Sequence, residues 1–203
     1  LLELADRDEL QWAAVDAWQT LAVVCQTRGE LAAALDARRN AVRAARQAGL
    51  WEREAILTVN LGFALTTLGA RNEALMEIET GLSKAHAVGS VGAVRHGQMN
   101  LLGWAATFDA DARVSAMLAE PRSQADEAAA GAYVIQDRST LGILFYRGLE
   151  LLRSEGANLQ RARSLLERVA QAYRSTGNLD LLPVTLGFWS EAERRLGNTT
   201  EAR

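Results

Sequence analysis

The sequence predicts an all-α fold, an α-solenoid of antiparallel helix pairs with about nine to ten helices. Three observations predict it. Alanine is abundant across the 203 residues, the only prolines are Pro121 and Pro183, and no period-two run of β-branched residues stands out. That balance favours long helices over sheet. The stretch 61–74, LGFALTTLGARNEA, completes an apolar helix carrying Val59, Leu61, Phe63, Leu65 and Leu68, turns at Gly69, and starts a second helix near Asn72. The step from turn glycine to alanine then recurs: Gly29 to Ala34, Gly69 to Ala74, Asp111 to Ala116, Gly156 to Ala162 (one residue longer) and Gly197 to Ala202. The turn positions 29, 69, 111, 156 and 197 are 40, 42, 45 and 41 residues apart. A two-helix unit cannot bury its own apolar face, so units of this period must stack.

Residues 1–5 (LLELA) read as the tail of a preceding outer helix. Residues 6–9 carry caps for a helix over 10–27, with Trp12, Val15, Trp18, Leu21 and Val24 on its apolar stripe. Gly29 turns the chain into a partner helix over 31–48, which Gly49 closes from the C-terminal position that glycine favours. The second pair covers 51–68 and 72–88. Gly89-Ser90-Val91-Gly92 then forms the most flexible-looking joint of the array. The third pair covers 94–108 and 112–130. Pro121 lies inside its second helix, removes a donor and crowds the preceding turn, which places a break or restart near Glu120. The fourth pair spans 132–154 and 159–175. The fifth begins after Gly177-Asn178, tolerates Pro183 in its first turn and continues to Leu196. The repeats are thus 8–49, 50–89, 90–131, 132–176 and an incomplete 177–203, within one repeat domain over 1–203. Solenoid ends need polar caps and this chain stops in mid-repeat, so a fragment of a longer protein is expected.

Composition narrows the function. A net charge of −3, with charges interspersed, gives no general attraction to nucleic acid or membrane phosphate. The single cysteine, Cys25, excludes an internal disulfide framework and fits a reducing cytosol. Neither a signal peptide nor an 18-residue apolar run is present, so a cytoplasmic protein is expected.

A search for chemistry finds no complete set. His86 and His96 are ten residues apart, whereas a helical metal pair needs a spacing of about three or four and further ligands. Cys25 has no histidine nearby and reads as a small buried hydrophobe. Asp109, Asp111, Ser115 and Glu120 resemble parts of a calcium loop, but Arg113 and Val114 occupy positions that need a ligand and a glycine. Gly89, Gly92 and Gly97 neither follow a strand nor spell a phosphate loop. Arg38, Arg39, Arg43 and Arg46 form a basic strip on an outer helix. It reads as a solvated face paired with nearby acids, with a docking patch for an acidic partner as the alternative. No enzyme activity, metal or cofactor is expected.

Trp18, Leu21, Ala22, Gly29 and Ala34, and more closely Leu61, Gly62, Gly69 and Ala74, resemble the tetratricopeptide pattern: an aromatic, a Leu-Gly or Leu-Ala pair, a turn glycine and an alanine in the second helix. The resemblance covers nearly the whole chain. The sequence departs from the family in a period longer than the usual 34 or so residues, in Asp111 at the third turn, and in lacking most repeat-ending prolines. The long period is similar to that of arrays in large bacterial signal-transduction ATPases, transcription activators and Ser/Thr kinases. The resemblance implies a right-handed superhelix whose first helices line a concave groove for peptides or neighbouring domains. Carried over, the groove takes Gln19 and Val23 from the first repeat and Ile56, Val59, Asn60, Phe63 and Thr67 from the second. The third gives Asn100, Leu101 and Trp104, and the fourth gives Phe145, Tyr146 and Arg153. Trp104 and Tyr146 read equally as packing between helices. The Lys and Asn set that holds two carboxylates in chaperone-binding members is not evident, which argues against an acidic C-terminal tail as ligand. The expected function is a non-catalytic scaffold for a protein or peptide partner, another domain of the same chain included, and not for nucleic acid or membrane. The alternative is an effector sensor that closes on a peptide or small ligand, with the broken third repeat and the glycine joint as its hinge.

Overall fold

A computed structural model describes residues 11–130, 138–153, 155–177 and 181–198. Among these residues every regular element is a helix, and ten are present: α1 Gln11–Thr27, α2 Leu31–Gln47, α3 Trp51–Thr67, α4 Arg71–Ala87, α5 Val91–Thr107, α6 Ala112–Met117, α7 Ala119–Ala130, α8 Arg138–Leu152, α9 Ala157–Thr176 and α10 Leu182–Arg195. Helices pack on their sequence neighbours, as in a helical repeat. The chain divides into two compact units, Leu1–Asn100 and Leu101–Arg203. The helix tail expected at 1–5 and the first residues, 132–137, of the helix expected over 132–154 lie outside the described residues.

The first unit is strictly periodic. Helices α1 to α5 are each 17 residues long and start at residues 11, 31, 51, 71 and 91, one every 20 residues. The 40-residue spacing of Gly29 and Gly69 is therefore two equal steps. Each step ends the same way. Gly29, Gly49, Gly69 and Gly89 take φ of 77°, 65°, 79° and 67°, the left-handed region in which a Cβ is penalised. The Gly29 N–H donates to the Gln26 carbonyl at 3.1 Å and the Glu30 N–H to Cys25 at 2.9 Å. The same pair of bonds closes the turns at Gly49, Gly69 and Gly89. This bonding satisfies carbonyls that a helix end leaves open.

That periodicity revises the expected joint at 89–92. Helix α5 starts at Val91, three residues earlier than expected, so Gly92 sits in its first turn. Ser90 Oγ accepts from the Ala93 N–H at 3.1 Å and donates to Glu52 at 2.5 Å. The segment is a closed turn with the same backbone bonds as the others, and it alone of the four adds a side-chain cap, because a serine before a helix supplies the missing acceptor.

Small residues set the packing here. Helix α2 buries Ala34, Ala37, Ala41, Ala44 and Ala45, and α3 meets α4 at two glycines. A Cβ on Gly62 would stand 2.8 Å from the Ala74 carbonyl oxygen, and one on Gly81 would stand 2.9 Å from that of Ala55. Gly97 of α5 instead makes room for a side chain, that of Leu82 on α4.

The second unit is irregular. Asp111 stands where the repeat puts a turn glycine, yet it works differently: its backbone is extended (φ −73°, ψ 177°) and its carboxylate accepts the Val114 N–H at 2.8 Å. It caps α6 at the front, where the glycines close helices at the back. The break expected near Glu120 falls at Leu118, leaving the buried Pro121 in the first turn of α7 where its missing donor is tolerated. Pro183 likewise occupies the first turn of α10. Leu141, Leu144, Leu159, Leu165, Leu166 and Val169 fill the core. Ion pairs tie its helices together. Glu150 accepts from Arg122 and from Arg147 at 2.6 Å, and Asp126 pairs with Arg147 and Arg161.

A candidate partner-binding pocket in the first unit

Three of the expected groove positions meet at one place. Gln19 and Val23 of α1 and Leu57 and Asn60 of α3 face Arg38 and Ala41 of α2 across a pocket of about 160 Å3. The i, i+4 spacing of Gln19 and Val23 puts both on one face of α1, and the identical helix lengths bring Asn60 into register with them. Val23, Ala41 and Leu57 form apolar walls, while Gln19, Arg38 and Asn60 supply the polar groups. Such a pocket suits a short side chain carrying one polar end.

The polar groups are held in place. Arg38 donates to Gln26 at 2.6 Å, while its Nε is buried with no hydrogen-bond partner. Burial lowers the Arg38 pKa from its ordinary value, since the charged form is poorly solvated. Gln19 accepts from Arg53 at 3.4 Å, and Arg53 also pairs with Asp16. His96 Nε2 lies 2.7 Å from Asn60 Oδ1, so a proton on that nitrogen donates to the amide oxygen. Asn100 Nδ2 donates to the His96 carbonyl at 2.8 Å and stands 3.3 Å from the same ring nitrogen. The expected residues Asn60 and Asn100 are thus joined through His96. Asn100 itself is buried.

Further along α3, Phe63 is half-buried and Thr67 is exposed, its hydroxyl donating to the Ala64 carbonyl at 2.7 Å. Ile56 is half-buried, whereas Val59 is fully buried against Gly81 and belongs to the core. The glycine on α4 draws the helices together there, which removes Val59 from any groove.

The second unit places its expected residues differently. Trp104 is 1% exposed and packs on Phe108, ring centroids 5.4 Å apart, so it has no surface to offer a ligand; Leu101 is equally buried. Tyr146 is half-buried beside Gly103 and edge-on to Phe145 at 5.3 Å. Burial, with Tyr173 adding to it, pushes the Tyr146 phenol up to about 12. Phe145 also meets Phe188, with centroids 6.1 Å apart. Arg153 is exposed and paired with Asp109 at 2.8 Å. Of the aromatics weighed between groove and core, Trp104 belongs to the core.

One pocket residue, Arg38, and the histidine bonded to Asn60 escaped the sequence reading, which put Arg38 on the outer strip and gave His96 no part in the groove. Both had a signal. Arg38 follows the core position Ala37 and lies one turn after Ala34, at the edge of the buried stripe of α2. His96 lies four residues before Asn100, on the same face of α5.

Cys25 is buried. Desolvation raises its thiol pKa, and the nearby Glu30 adds to the rise, so the thiolate is disfavoured. Among the described residues, no three or more His, Cys, Asp or Glu side chains are grouped to hold a metal ion, and no helix is long and apolar enough to cross a membrane. No protein-family model and no curated protein matches the chain.

Proposed function

We propose that the chain is a non-catalytic interaction scaffold of the tetratricopeptide type, part of a larger bacterial regulatory protein, that binds a peptide or protein segment along its first helices. The observation that carries this is the convergence of Gln19, Val23 and Asn60, chosen by repeat position, on one pocket with Arg38. With its oxygen engaged by His96, Asn60 has amide N–H groups to offer a backbone carbonyl. Gln19 and Arg38 add donors, and the apolar walls give a side chain a dry seat. Rigid helices keep these groups in register, so binding costs little reordering of the scaffold.

Selection of a displayed peptide library on the whole chain, followed by titration of the enriched peptides, tests this. Gln19→Ala and Asn60→Ala, each checked for unchanged helicity, are expected to weaken binding by about tenfold, the loss of one good hydrogen bond in a desolvated site. Peptides whose affinity ignores both substitutions would remove the pocket from the proposal.

A further inference from the structure

The arginine strip of α2 borders a second cleft that the pocket does not use. A trough of about 450 Å3 runs between α2 and α4 over α3. Arg39, Arg43 and Arg46 rise on one side, and Met76 and Lys84 on the other. An apolar cleft of about 380 Å3 shares Arg46 and Lys84 with it and continues to Trp51 and Val88. Trp51 is 58% exposed, Met76 58% and Val88 41%, so the clefts are edged by apolar side chains open to solvent.

The charges along the trough are unevenly matched. Four cations line it against the carboxylate of Glu77. Buried beneath, Glu54 accepts from Arg46 at 2.8 Å and from Lys84 at 2.6 Å, so one carboxylate serves two cations. Arg43 donates to the neutral amide of Asn40 at 2.9 Å, and Arg39 to Asp36 at 3.2 Å. Helix α2 as a whole carries four arginines against the single Asp36, in a chain whose net charge is −3. The charge excess is local, and exposed apolar side chains adjoin it.

We infer that this trough docks an acidic amphipathic helix of a protein partner. Arg39, Arg43 and Arg46 follow one face of α2 at i, i+4 and i+7, spanning roughly 10 Å at 1.5 Å per residue. Carboxylates at the same spacing on a partner helix repeat with the same pitch and meet them one for one. An aliphatic stripe beside those carboxylates covers Met76 and Trp51. The charges set register and steer the encounter, while the apolar stripe supplies most of the affinity. This surface is independent of the pocket at Gln19 and Asn60.

The test uses a labelled helical peptide of roughly fifteen residues with glutamates at i, i+4 and i+7 and leucines on the flanking stripe, read by fluorescence anisotropy against the whole chain. A second peptide has lysines in place of the glutamates. The glutamate peptide is expected to bind at least about tenfold tighter than the lysine peptide, and added salt should weaken it. Arg39→Glu with Arg43→Glu should cost about tenfold or more, and Trp51→Ala about fivefold. All three substituted side chains are exposed, so circular dichroism should be unchanged. Gln19→Ala should leave the peptide's affinity intact. Equal binding of the two peptides, binding of neither, indifference to the charge reversal, or loss with Gln19→Ala would each overturn the inference.

Discussion

The two units solve one problem, packing helix on helix, by opposite means. In the first, equal helices are joined by identical glycine turns and approach until backbone meets backbone at Gly62 and Gly81. In the second, helices of 6 to 20 residues are spaced by leucines and tied by Glu150, Arg122, Arg147 and Asp126. Each unit is therefore vulnerable in a different place. Close backbone contact has no flexible atom to yield, whereas a leucine can rotate and an ion pair can find water.

Side-chain addition at the α3–α4 contact should therefore have the largest effect. A Cβ on Gly62 meets Ile78 Cγ1 at 2.6 Å as well as the Ala74 oxygen, and backbone cannot rotate away. Gly62→Ala and Gly81→Ala should each cost about 1–3 kcal/mol net, even though alanine favours a helix by about 1 kcal/mol. Gly62→Leu should cost more than either. In the second unit, a Cβ on Gly148 meets only side-chain atoms, Leu166 Cγ at 3.0 Å nearest, so Gly148→Ala should cost less. Amide hydrogen exchange, read separately in the two units, checks this. Equal effects at Gly62 and Gly148 would remove the contrast.

The next effect belongs to the second unit and appears in base. Tyr146 titrates at about 12 when folded, against an ordinary 10.0. The folded state thus holds the proton more tightly. Its contribution is fully present below pH 10 and is lost as pH rises through the folded value, roughly 2–3 kcal/mol in all. Tyr146→Phe should abolish that loss, about half of which falls between pH 9 and 11, as judged by urea unfolding at those two values. Spectral titration of the phenol supplies a direct reading, and a normal midpoint would refute the burial.

Acid separates the units through their buried carboxylates. Burial alone pushes the Glu54 carboxyl up, but hydrogen bonds from Lys84 and Arg46 outweigh it and hold it below the ordinary 4.5. Glu193 behaves alike, with Asn198 and Arg163 opposing burial. A depressed pKa gives stability that is present above the unfolded value and lost as pH falls below 4.5 through the folded one. Lys84→Met should raise the pH of acid unfolding in the first unit, and Arg163→Met in the second. Each should cost about 1–2 kcal/mol near neutrality, because the remaining partner still compensates part of the buried charge. A shift in both units from either substitution would mean that they unfold as one.

The first unit was also the more legible from sequence. Its turns and helices follow from glycine spacing, because regular helices of equal length leave little to tertiary choice. The apolar stripe read for α1, however, included Trp12 and Val24, which are 59% and 43% exposed. The pocket was half legible: Gln19, Val23 and Asn60 fell out of the repeat register, while Arg38 needed knowledge of which side of α2 is buried. At Gly89 to Gly92, glycine content suggested a joint, yet Ser90 and a left-handed Gly89 make a closed turn. In the second unit, Asp111 was visible as a turn residue but not as a front cap, since both roles favour aspartate. Trp104 could not be assigned by pattern, because an aromatic on a first helix suits groove and core alike. Burial decided it.

The smallest expected effect is a gain, and it isolates what glycine costs when it is not used for contact. Gly187 in α10 has no atom within 4 Å of a would-be Cβ, and Gly92 in α5 has only Ser90 Oγ at 4.0 Å. Neither has the positive φ that favours glycine. Gly187→Ala and Gly92→Ala should each stabilise by about 0.5–1 kcal/mol through reduced freedom of the unfolded chain and better helix propensity. In denaturant titration, similar gains in the two units would show that glycine itself carries the same penalty in both. The loss at Gly62 would then be owed to the helix contact alone, because the same substitution on an open helix face gains what the contact takes away. A loss at Gly92 instead would mean that the first turn of α5 is tighter than its spacing implies.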